Sequence, residues 1–332
     1  MAVLTTGGTA VYTQSAIQII KGALRSDLVI NEEETPSGDM LESSMDTLNA
    51  MAKGWQANGI HVWCEEEGIL FLNQGQNSYQ LSVTSPDHAT LYDTYVQNSL
   101  AVTALAGATT LSLQSAAGIS NGDTIGVQLD AGTNFWTTVS APPSGDNVAI
   151  ANALPSQASA LAVTFDYTLE LGRPLRLYTG RRFTYEGQLE VPMITLSRTD
   201  WANLPNKQNQ GVITQYFFDA GTGNNVYSTE TARAYFWPTP DSDAYGFRYT
   251  AQRPIQDFVT LANIPDFPAE WLAALRWNLA LELAPEWGTP ADHVDRQIRP
   301  LAEKWLSIVS QWDREPQSVL FGVAFQPGYH NG

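Results

Sequence analysis

The sequence predicts an α+β protein: a helical base from N- and C-terminal helices, a β-rich middle, and a small β-sandwich or barrel inserted into it. Three observations carry this reading. Apolar residues recur at helical spacing near both ends of the 332-residue chain. Between them the apolar runs are short, β-branched and aromatic, and are separated by turn residues. From residue 97 to 165 the composition shifts to Ala, Thr, Ser, Gly and Val. There "TTLSLQS", "TIGVQL", "FWTTVS" and "LAVTF" alternate with "SNGD", "DAGTN" and "PPSGDN", a spacing that suits a sandwich or barrel. The length allows one to three domains. The expected division is 1–96 (N-terminal helices and first strands of the core), 97–165 (inserted β module), 166–315 (β extension and C-terminal helix pair) and 316–332 (a docking tail).

In chain order, Thr13 can cap a first helix that carries Ala16, Ile17, Ile20, Ala23 and Leu24 on one side. The stretch "NEEETP" breaks it. A second helix starts near Ser37, with Leu41, Met45, Leu48, Ala52 and Trp55 on one stripe, and Asn58-Gly59 ends it. "GILFLN" and "YQLSV" are the first strands. After the insert, "PLRLYTGRRFTY", "VPMITLS", "VITQYFFD", "ARAYFWP" and "YGFRYTA" continue as strands, with one helical turn at "RTDWANL". A helix over 268–284 is apolar nearly all round and must be covered on most sides. The last helix carries Val294, Ile298, Leu301, Trp305, Ile308 and Trp312 on a heptad-like seam. Pro300 should kink it. Helices at both ends imply that the termini pack together.

Charge excludes one class of function. The chain carries a net −17. Residues 1–172 hold three basic side chains (Lys21, Arg25 and Lys53) against seventeen acidic ones, and residues 173–332 hold fourteen against seventeen. Tight nucleic-acid binding needs several cations facing phosphates, which the first half lacks; an acidic wall suits a surface that DNA slides past. No apolar run reaches membrane-spanning length, so no membrane partner is expected, and no secretory signal precedes Lys21. The single cysteine, Cys64, rules out an internal disulfide framework.

No catalytic constellation stands out, and no cofactor or metal is expected. His61 and Cys64 could ligate or form a thiolate dyad, but without a second ligand pair the blander reading is a buried cysteine after a helix end. Glu65, Glu66 and Glu67 read as a solvated run. Asp241 and Asp243 sit in a turn-rich stretch where Asp is favoured for backbone bonding. His88, His293 and His330 are isolated. The basic cluster Arg173, Arg176, Arg181 and Arg182 could meet a protein partner, balance the chain's own carboxylates, or touch DNA; a protein partner is favoured.

Five of the ten tryptophans lie between Pro268 and Trp312. Trp305 and Trp312 share the aliphatic seam and read as core. Trp271, Trp277 and Trp287 cannot all face one core, which points to a subunit interface. The tail "QSVLFGVAFQPGYHNG" places Val319, Leu320, Phe321, Val323 and Phe325 in an apolar segment that should dock on a neighbour or another protein.

In their order, these motifs are familiar. "IQIIKGALRSDLVINEEETPSGDMLESSMDTLNAMAKGWQANGIHVW" resembles the opening of the head-to-tail adaptors of short-tailed bacteriophages, the packaged-DNA stabilisation or tail accessory factor family. Ala23-Leu24-Arg25, Glu32–Glu34, Trp55 and Gly59-Ile60 carry the likeness. "FPAEWLAALRWNLALELAPEWG" with "PLAEKW" resembles the family's closing helices, and "RPLRLY", "EVPMITLSRTDWANLPNKQNQG" and "YFWPTPD" look like the β extension of larger members. Residues 97–165 depart from the smaller members. The resemblance implies a structural, non-enzymatic virion protein at the head–tail interface, assembled in the host bacterial cytoplasm. It implies a ring of twelve copies under the portal protein, a platform for the tail nozzle protein, and a tail (316–332) that reaches onto the portal. Packaged DNA would pass through the channel. Two rivals stay open. One is a cell-wall glycan hydrolase, in which Glu65–Glu67 or Asp241 and Asp243 would supply two carboxyls about 5–10 Å apart. The other is a β module that binds a tail fibre, a spike or host glycan.

Overall fold

The chain is α+β. The computed structural model describes residues 12–312, apart from residues 61, 84, 186–188, 222, 225–228 and 231. His61 and the tail residues Val319, Leu320, Phe321, Val323 and Phe325 lie outside the described residues. In chain order the helices are α1 (Ala16–Ser26), α2 (Gly38–Ala57), α3 (Arg198–Asn203), α4 (Leu272–Trp287), the single turn α5 (Ala291–His293) and α6 (Arg299–Trp312). The chain divides into two compact units, broken between Trp63 and Cys64 and between Pro254 and Ile255.

The first unit joins the two ends of the chain. α4 packs against α1, α2 and α6, which is how a helix apolar nearly all round is covered. Its core takes Ile19, Ile20, Ala23 and Leu24 from α1, Leu48, Met51 and Trp55 from α2, Leu275, Leu279 and Leu283 from α4, and Val309 from α6. Burying each large side chain stabilises by about 1.5–3 kcal/mol. α1 is capped at Ser15, whose N–H donates to Gln18 Oε1 at 2.9 Å, and not at Thr13. α2 starts where Ser37 accepts from the Met40 N–H at 3.3 Å.

The helix ends are informative. α1 and α2 both finish in a Schellman turn. In α2, Ile60 N–H reaches Trp55 O and Gly59 N–H reaches Gln56 O, each at 3.2 Å, with Gly59 at φ 90°. In α1, Val29 N–H reaches Leu24 O at 3.0 Å and Leu28 N–H reaches Arg25 O at 3.2 Å. Here the left-handed position is a leucine, Leu28, at φ 62°. A side chain with a Cβ costs roughly 1–2 kcal/mol in that conformation. α4 closes on Gly288 at φ 68°.

The last helix corrects one expectation. The helical run from Ala291 to Trp312 is continuous, and a π-helical turn at Val294–Ile298 stands directly before Pro300, as suits a residue that cannot donate to the ladder. The buried face of this segment then runs through Ile298, Ala302 and Val309. Ile308, expected on the seam, is 44% exposed, because at about 3.6 residues per turn Val309, and not Ile308, returns to the face of Ile298.

The second unit is built mainly on antiparallel strands, with Ile194–Thr195 pairing parallel to Gln215–Asp219. One five-stranded sheet runs Glu190–Pro192, Arg176–Thr184, Tyr245–Gln252, Glu65–Phe71, Ala89–Leu91. A four-stranded sheet runs Ile194–Thr195, Gln215–Asp219, Ala232–Trp237, Ser78–Leu81. Leu70, Phe247 and Tyr249 from the first sheet meet Tyr79, Tyr216 and Phe236 from the second in one core. The first strands therefore belong with the β extension: grouping all of 1–96 with the N-terminal helices is corrected by strand pairing, since Glu65–Phe71 pairs with Tyr245–Gln252. The inserted segment has its own sheet, Val96–Ser99, Val163–Tyr167, Thr124–Gln128, Asn134–Thr138, and its own core around Leu111, Ile125, Val127 and Val148. Ile69, Phe71 and Phe183 on the other face of the five-stranded sheet pack against Val163, Phe165 and Tyr167 of the insert. Glu65–Phe71 is thus buried on both sides towards its end, which explains the unbroken apolar run there. Cross-strand glycines make room for rings: a Cβ on Gly68 would stand 2.6 Å from the Tyr249 ring, and one on Gly126 would stand 2.6 Å from Trp136.

Candidate functional site

The tryptophans separate by burial. Trp271 is 3% exposed. Its ring centroid lies 4.8 Å from that of Trp63 and 5.7 Å from that of Trp55, with Phe267 at 5.9 Å. This nest fills the first unit's own core, so the expectation that Trp271 faces a neighbouring subunit is corrected. Trp277 and Trp287 are half-buried. Arg276 lies 5.2 Å from the Trp277 ring centre, and Trp287 packs on the edge of the core. Trp305, expected in the core, is also half-buried at its edge.

The arginine cluster is mostly turned to the protein's own groups. Arg181 bonds Glu67 at 2.9 Å and Glu190 at 3.2 Å. Arg248 pairs with the same two carboxylates and lies 3.4 Å above the Tyr92 ring. Hydrogen bonds and charge from Arg248 and Arg181 outweigh burial and hold the Glu67 carboxyl below its usual range. Arg173 donates to the Ala220 carbonyl at 2.8 Å, and Arg182 lies over the Tyr245 ring. Arg176 is exposed and makes no ion pair among the described residues. The expectation of a basic interface is therefore corrected for Arg181: its charge is spent on an internal four-residue network. Sequence reading missed Glu190, Arg248 and Tyr92 because the network joins four strands far apart in the chain.

The acids proposed for glycan hydrolysis are similarly tied. Glu66 bonds Arg253 at 2.6 Å, and Glu67 belongs to the network above. Asp243 is buried and accepts from the Gln74 N–H and, at 2.9 Å, from the Asn134 N–H. Burial still pushes its pKa up. Asp243 thus staples two loops together. Cys64 is buried. Among the described residues no group of three or more His, Cys, Asp or Glu is placed to hold a metal ion, and no helix is long and apolar enough to cross a membrane.

What remains is surface shape on the first unit. A groove of about 390 Å³ opens between α2 and α4, lined by Ala50, Met51, Gly54 and Trp55 of α2 and by Glu282 of α4. Gly54 stands inside a helix, where glycine costs about 1 kcal/mol relative to alanine. No atom lies within 4 Å of where its Cβ would be. By contrast Gly22 of α1 makes way for the Arg276 side chain at 3.0 Å. The groove has only a weak sequence signal, a lone glycine in an amphipathic helix. Set against known proteins, the chain matches no family model and no curated protein.

Proposed function

We propose that this protein is a structural virion component, a head-to-tail adaptor that forms a ring between portal and tail nozzle, closes the DNA-filled head and serves as a platform for tail assembly. The observation that carries the proposal is the way the chain ends meet. α1 and α2 share one core with α4 and α6, and residues 64–254 leave and return between Trp63 and Ile255. A helical unit of this make-up is what the resemblance to phage adaptors implies. The engagement of the candidate acids in ion pairs and backbone bonds weighs against the glycan-hydrolase reading. The proposal extends to twelve copies per ring, to partners at the portal, the nozzle and a tail fibre or spike, and to DNA threading the channel. The test is the mass of the purified protein alone and mixed with portal rings. Ring-sized assemblies, or saturable loading onto portal, are expected. A chain that stays single at all concentrations and ignores portal sinks the proposal.

A second reading has one observation in its favour. The insert has a core of its own and exposes Val102, Leu105 and Leu161 at 57%, 63% and 70%. Such a module suits docking of a fibre or glycan. Deleting 97–165 separates the readings: rings and filled heads that form but lack fibres would assign docking to the insert.

A further inference from the structure

Two local choices in the first unit work against the folded chain that contains them. The left-handed position that ends α1 holds Leu28, where α2 uses Gly59 and α4 uses Gly288. The Leu28 side chain is 67% exposed, so it recovers no burial for adopting φ 62°. Gly54 weakens α2, and nothing in the chain occupies the space it vacates. One choice makes an apolar knob and the other deepens a hole, on different surfaces of the same unit.

Charge sorts the same way. Lys21 and Arg25 stand one turn apart on the same side of α1, and Leu28 follows two residues beyond the end of that helix. Among the described residues Lys21 forms no ion pair, and the Arg25 side chain donates to the Glu32 carbonyl without an ion pair. The groove has Glu282 on its α4 side, and Asp46 and Glu42 of α2 stand exposed one and two turns before Ala50. None of these three acids is ion-paired among the described residues. The acid closest to the knob in sequence is Asp27, which is buried, and Glu32, Glu33 and Glu34 follow it. Of these, Glu34 is turned back to the Asn31 N–H at 3.1 Å.

We propose that the joint between copies is made by Leu28 of one chain seating in the α2–α4 groove of the next, over Gly54, with Lys21 and Arg25 facing Glu282 and the α2 acids. The occupant is a second copy of this chain. Because knob and hole are different patches, the contact is heterologous, and such contacts close into rings when the rotation allows. This rests on the adaptor reading for the ring but identifies its joint.

The test uses the full chain. Leu28→Gly removes the knob and Gly54→Leu fills the hole; each is expected to leave the unfolding midpoint unchanged or raised while weakening self-association at least tenfold. Arg25→Glu should also weaken association, and adding Glu282→Arg should restore it. Cys64 is buried, so a chain with Leu28→Cys mixed with one carrying Gly54→Cys should give a disulfide-linked pair on oxidation, which neither gives alone. This readout stands even if another variant folds poorly. If the unaltered chain forms rings and these variants form them equally well with no cross-link, the joint is overturned and the adaptor reading stands. If the unaltered chain neither associates nor loads onto portal rings, both fall.

Discussion

Asp166 is 3% exposed and hydrogen bonded to Asp123, which is 1% exposed. Burial first, and then the neighbouring carboxylate, push Asp166 up to about 8. Burial alone raises Asp27 to about 7, and burial aided by Asp87 raises Glu170 to about 7. Each of these acids keeps its proton in the folded chain at pH values where the unfolded chain has released it. Their contribution is fully present below pH 4 and is lost as pH rises through 7 to 8. His88 works the other way: burial lowers it from 6.5 to about 4, so its contribution is lost as pH falls from 6.5 towards 4. Glu67, held low by its arginines, adds stability that disappears only in stronger acid. Between pH 6.5 and 8 the three raised acids act without opposition from these groups. The unfolding free energy measured in urea should therefore fall across that window, by at most about 1.4 kcal/mol per pH unit for each acid. Asp166→Asn should flatten the fall, and an unchanged slope in that variant would show that Asp166 is ionised in the fold. None of these acids was marked by its sequence neighbourhood; desolvation is a property of what packs around a residue.

At the scale of elements, the helices carry most of what the sequence made legible. Ser37 as cap, the Leu48–Ala52–Trp55 stripe and the Gly59 stop follow from local rules, and all are found in α2. Ser37→Ala should cost about 1 kcal/mol in the unfolding of the helical unit, measured by helical ellipticity against denaturant. The tryptophans of α4 were harder, because a helix that is apolar all round has no face by which to sort them. Trp271→Ala should cost about 3–5 kcal/mol, and the loss should not depend on protein concentration. A loss that vanished on dilution would return Trp271 to an interface. The π turn before α6 stands next to Pro300, the one local signal of an irregular ladder there.

At the scale of the molecule, one unit holds a core of its own, and the other holds three clusters that share strands. Units with separate cores need not melt together. Calorimetry should resolve more than one transition, and a single transition whose calorimetric and van't Hoff enthalpies agree would refute this. Truncation before Gln317 should leave these transitions in place and weaken portal binding if the apolar tail is the docking segment. Equal portal affinity of the shortened chain would remove the tail from the interface.

By itself the sequence determined the class of fold, the two helical ends, most strands and the insert, because hydrophobic period and turn chemistry act over a few residues. Only the tertiary structure decided that Glu65–Phe71 belongs to the β unit, that Arg181 is spent on Glu67 and Glu190, and that Trp271 is core. Those outcomes depend on contacts between residues far apart in the chain, and strand register and burial are settled by which surfaces meet.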